Sequence, residues 1–104
     1  MNQLSQVDVN HIKFLEAIGY QVEFNDEREN FCVYREHPKW GHMGMLGNYD
    51  IGGIKNFVSG MIDGISLTGG EWHTDIWGRL KPWENELKCK IPEKFIKDES
   101  ARFI

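Results

Sequence analysis

The sequence predicts an α+β fold, with a small antiparallel sheet of about four strands packed against two or three helices. Three observations predict it. Apolar residues recur at helical spacing in two stretches, Ile12, Leu15 and Ile18, then Ile54, Phe57, Val58, Met61, Ile62 and Ile65. Shorter stretches alternate apolar and polar residues at strand spacing, as Tyr20, Val22 and Phe24 do with Gln21 and Glu23. These elements come in mixed runs rather than in strict strand-helix alternation, which favours an antiparallel sheet over a parallel one.

Taken in order, Asp8 is placed to cap a first helix through its carboxylate, and Gly19 to end it. His11 and Phe14 lie beside the apolar stripe of that helix. The strand from Tyr20 to Phe24 turns through the polar run Asn25 to Glu29 and returns as Phe31, Cys32, Val33 and Tyr34, a hairpin with a five-residue connection. Asp50 is the expected cap of the second helix, whose other face carries Lys55, Asn56, Ser59, Gly60 and Asp63. Glu71 to Trp77 reads as a third strand, and Leu87, Cys89 and Ile91 alternate with Lys88 and Lys90 as a fourth. Pro92 opens a weakly patterned last helix with Phe95, Ile96 and Phe103.

Composition bounds the class. The chain has 104 residues, 40% hydrophobic and 12% aromatic, so residues 1–104 are expected to form a single compact domain with one core. The net charge of −4 is unevenly spread: residues 1–78 hold 5 basic and 11 acidic side chains, whereas residues 79–104 hold 7 basic and 5 acidic. An acidic body disfavours nucleic acid, because phosphate binding runs on Lys and Arg displacing counterions. The start MNQLSQVDVN lacks a basic, apolar leader, and no window approaches the roughly 20 apolar residues of a membrane span, so neither export nor a membrane partner is expected. Cys32 and Cys89 then read as reduced thiols of a cytoplasmic protein, both small core residues.

The stretch His37 to Gly53, HPKWGHMGMLGNYDIGG, reads as a loop between strand and helix with the composition of a binding site: two His, one Trp, one Tyr, two Met and five Gly. Its chemistry fits no specific template. His37, His42, His73 and Asp75 are metal-ligand types, yet their spacing matches no ordinary site and neither Cys belongs to a CxxC pair, so no cofactor or metal is expected. Ser59 and Gly60 fall inside the amphipathic helix rather than on a nucleophile elbow. Cys89, between Lys88 and Lys90, would gain thiolate character if those charges reached it, although strand alternation points it into the core. Gly52 and Gly53 lack the Lys and Ser/Thr of a phosphate loop.

Tryptophan is the remaining signal, with four at Trp40, Trp72, Trp77 and Trp83. Trp and Tyr dominate many protein interfaces. The sequence therefore reads as a non-catalytic protein-binding module, of the inhibitor or immunity type, that contacts its partner through Trp40, His42, Tyr49, His73, Asp75 and Trp77. The acidic hairpin Glu23 to Glu29 would steer it towards a basic partner surface. The alternatives are a small metal- or ligand-dependent enzyme built on His37, His42, His73 and Asp75, and a homodimer that buries the exposed aromatics.

Overall fold

The computed structural model describes residues 3–36, 43–67 and 81–97. Their order is helix α1 (Gln6–Ala17), strands β1 (Gln21–Asn25), β2 (Asn30–Glu36) and β3 (Met43–Tyr49), and helix α2 (Ile51–Leu67). Single 3-10 turns follow at Pro82–Glu84 and Glu93–Phe95. The strands form one antiparallel sheet in the order β1-β2-β3, so the class is α+β.

Helix α1 begins one turn earlier than its sequence signal. Ser5 is the cap, its hydroxyl accepting from the Asp8 amide at 3.3 Å, while the Asp8 carboxylate accepts from the Ser5 amide at 2.9 Å. This reciprocal capping box satisfies two amide donors, and it puts Asp8 at the third helical position rather than at the cap. The far end closes on Gly19, at φ 102°, where an L side chain would be strained. There the Tyr20 and Gly19 amides return to the carbonyls of Leu15 and Glu16 at 2.9 and 3.2 Å, a Schellman closure. The buried stripe is Val9, Ile12, Phe14 and Leu15; Ile18 falls at the helix end and is exposed.

The hairpin keeps its expected strands with a shorter turn. Asn25 pairs with Asn30, leaving Asp26 to Glu29 as the connection. The Asn25 side chain accepts from the Arg28 amide at 3.1 Å, and Glu29 enters β2 through a left-handed conformation at φ 52°.

The principal departure is β3. Residues 43–49, expected in a loop, pair along β2 from Phe31↔Tyr49 to Glu36↔Met43. A bulge sits between the pairs Val33↔Gly47 and Tyr34↔Met45, where Leu46 is the extra residue. Asp50 then caps α2 as expected, its carboxylate accepting from the Gly53 amide at 2.7 Å. Ile54, Val58 and Ile62 of α2 are buried, with Phe57 and Met61 packed beside them.

Residues 87–91 form no strand ladder, which removes the expected fourth strand. Their alternation is nonetheless real, since Cys89 is buried and Leu87 and Ile91 pack on the core. Where the last helix is expected, the described residues form the turn Glu93–Phe95, and residues 98–103 lie outside them. The turn ties back to the N-terminal segment, where the Leu4 amide donates to the Phe95 carbonyl and the Lys97 amide to that of Leu4 at 2.9 Å. The strand expected at Glu71 to Trp77 lies outside the described residues.

Candidate functional site: the open face of the sheet

Period-two alternation gives the sheet two unlike faces. Val22, Phe31 and Val33 point into the core under α1 and α2, and Phe24 packs on it. The register then places their neighbours on the opposite face in two rows that cross all three strands. One row is Glu23, Cys32 and Asn48; the other is Gln21, Tyr34 and Met45.

The first row is polar and bonded. The Cys32 thiol donates to Asn48 Oδ1 at 2.7 Å, and Gln21 Nε2 donates to Glu23 Oε1 at 2.8 Å. Cys32 is therefore a half-buried member of the open face rather than a core residue, because Phe31 and Val33 take the inward positions on either side of it. The second row leads into apolar surface. Met45 and the bulge residue Leu46 are 56% and 48% exposed, large values for side chains whose removal from water is favourable.

At the hairpin end, Glu23, Phe24, Asp26, Glu27, Cys32 and Tyr34, with Asn25, line a concavity of about 450 Å³. Burial, followed by the negative field of Glu23 and then Cys32, pushes the Tyr34 phenol above its usual range. An anion is disfavoured at that place for the same reason.

A second concavity, of about 630 Å³, lies between β1 and residues 88–90. Glu16 of α1 organises it, its two carboxylate oxygens accepting from the Lys88 and Cys89 amides at 3.0 and 2.8 Å. Burial, then the Glu16 charge, pushes the Cys89 thiol up to about 12, against a partial opposing effect of the Phe24 amide. The flanking lysines do not make Cys89 a thiolate, because burial and the Glu16 charge both disfavour its ionised form.

Of the six partner contacts expected from the sequence, Tyr49 is the one within the described regions. It is half-buried, its ring 5.6 Å from that of Phe57, and a Cβ on Gly47 or Gly53 would come within 3.2 Å of it. Those two glycines give the Tyr49 ring its seat against Phe57. Trp40, His42, His73, Asp75 and Trp77 lie outside the described residues, as does His37. Among the described residues, no three His, Cys, Asp or Glu side chains are grouped to hold a metal ion, and no helix is long and apolar enough to cross a membrane.

Sequence reasoning missed the open face. Its signal was the alternation within β2: once Phe31 and Val33 face the core, Cys32 and Tyr34 must face away. Trp83, 46% exposed on its 3-10 turn, is a further aromatic that drew no expectation. In comparisons with known proteins, no family model, no curated protein and no solved structure matches this chain significantly.

Proposed function

We propose that the domain is a non-catalytic binding module, acting stoichiometrically on a protein partner in the manner of an inhibitor or immunity protein. The observation that supports this reading best is the exposure of Met45 and Leu46 beside Tyr34 on the open face. Apolar side chains held out on a hydrogen-bonded sheet are pre-organised for contact, so docking costs little backbone ordering. Cys89, with its thiol pushed up to about 12, is structural rather than nucleophilic. Trp40 and His42, which precede β3 in the chain, Tyr49 at its end, and His73, Asp75 and Trp77 enter the proposal as contacts inferred from sequence.

The test is affinity capture from the native host with the wild-type chain, the double variant Met45→Asp/Leu46→Asp, and Ser59→Asp on the exposed side of α2. One partner retained by wild type and Ser59→Asp, and lost with the double variant, is the expected result. Equal capture by all three, with unchanged thermal unfolding, overturns this surface.

A further inference from the structure

We infer that the open face receives an extended, arginine-bearing segment of a basic partner, with apolar side chains on Met45 and Leu46 and a guanidinium in the hairpin concavity. This rests on the reading of the domain as a binding module and specifies what it binds.

Charge complementarity carries the inference. The concavity is lined by the carboxylates of Glu23, Asp26 and Glu27 and, among the described residues, by no Lys or Arg. All three are exposed, and among the described residues Glu23 is contacted by the neutral amide of Gln21, so a partner cation meets exposed carboxylates. The carboxylates are not grouped to close around one metal ion, an arrangement that suits a broad organic cation better than a point charge. Tyr34 decides for guanidinium. It is half-buried and lines the same concavity, and an aromatic ring beside carboxylates suits a planar cation that can stack on it while its N–H groups fork onto a carboxylate.

The apolar half is continuous with the acidic half. Tyr34 stands directly opposite Met45, so a single segment crossing the strands touches both. In an extended segment successive side chains point to opposite faces, so an apolar and a basic residue two positions apart share one face and would meet these two patches together. The raised Tyr34 phenol agrees with this placement, since an incoming cation would relieve the negative field of Glu23.

The probe is a short synthetic Leu-Arg peptide of repeating Leu-Ser-Arg-Ser, which carries Leu and Arg on one face when extended, with a Leu-Glu peptide of repeating Leu-Ser-Glu-Ser as control, titrated into the full chain and followed by amide chemical shifts. Shifts at Glu23, Asp26, Cys32, Tyr34 and Met45 are expected with the Leu-Arg peptide, along with a downward move of the Tyr34 phenol titration. The triple variant Glu23→Gln/Asp26→Asn/Glu27→Gln should weaken binding at least tenfold at unchanged melting temperature. Equal shifts from both peptides, shifts centred elsewhere, or undiminished binding by the triple variant overturns the inference. A captured partner that needs Met45 and Leu46 but tolerates the triple variant would sink this inference alone; one indifferent to both sets would sink the binding surface as well.

Discussion

The Asp8 carboxylate of α1 lies 2.7 Å from the Lys55 ammonium of α2, so one side chain both completes a helix cap and joins the two helices. Burial works against the charged form of Asp8, but Lys55 and the Ser5 amide together outweigh it and hold the carboxyl below its usual 3.8. The unfolded chain therefore takes up this proton before the folded one as the pH falls. Stability from Asp8 is complete above about pH 4 and lost below it, as the pH drops through the folded value. Asp8→Asn should cost about 1–2 kcal/mol at neutral pH and flatten the acid limb of a urea-unfolding series. An acid limb of unchanged slope in the variant would refute this role.

Glu16 makes the corresponding tie at the other end of α1, holding residues 88 and 89 without a strand ladder. Glu16→Ala should lower stability by about 1–3 kcal/mol, because two hydrogen bonds to an ionised acceptor are lost. Amide exchange at Lys88 and Cys89 should accelerate with it. Alkylation at about pH 8 should modify half-buried Cys32 first and buried Cys89 slowly, with Cys89 becoming accessible in the variant. The raised Cys89 thiol also has a pH consequence. Its unfolded form ionises first, so stability falls as the pH rises above about 9. Equal labelling of the two thiols in the wild-type chain would contradict this arrangement.

These two ties explain which parts of the fold were legible. The period of α2, the Asp50 cap, the Gly19 stop and the β1-β2 hairpin are local features, each encoded within a few residues, and the structure retains them. Strand β3 was hidden by its own composition. Gly44 and Gly47 remove two side chains from the pattern and the bulge at Leu46 breaks the two-residue period, so a paired strand looks like a loop. Residues 87–91 erred the other way. Their alternation reports burial of every second side chain, but the amides of Lys88 and Cys89 bond to a carboxylate 72 and 73 residues away, which no local pattern records. The candidate site was obscured for a related reason, because the open face exists only once the register aligns Glu23, Cys32 and Asn48.

In α2, Ile54, Val58 and Ile62 are 0–1% exposed, whereas Ser59 and Gly60 on the other face stand in solvent. Ile54→Ala and Ile62→Ala should each cost about 2–4 kcal/mol, from lost burial plus a residual cavity. Ser59→Ala should stay within about 0.5 kcal/mol. Since small domains hold only about 5–15 kcal/mol in total, combining the two core substitutions should bring the chain close to unfolding at room temperature. Denaturant midpoints for the three variants and the double variant check the ranking, and comparable losses at residues 54 and 59 would contradict the packing.

Tyr49 separates a packing role from a binding role. Its ring rests on Gly47 and Gly53 and against Phe57, which in turn meets the Tyr20 ring edge-on at 5.8 Å. Tyr49→Ala should therefore cost about 3–4 kcal/mol through loss of the ring, as for other partly enclosed aromatics. Gly47→Ala should also destabilise, by about 1–2 kcal/mol, because the new methyl would lie 3.2 Å from the Tyr49 hydroxyl and 3.3 Å from ring carbons, forcing the ring off its seat. Tyr49→Phe keeps the ring and removes only the hydroxyl, so melting temperature should hold. If Tyr49→Phe leaves stability intact yet abolishes partner capture, the hydroxyl is a contact and the sequence-derived binding role stands; if both capture and stability survive, Tyr49 serves the fold alone.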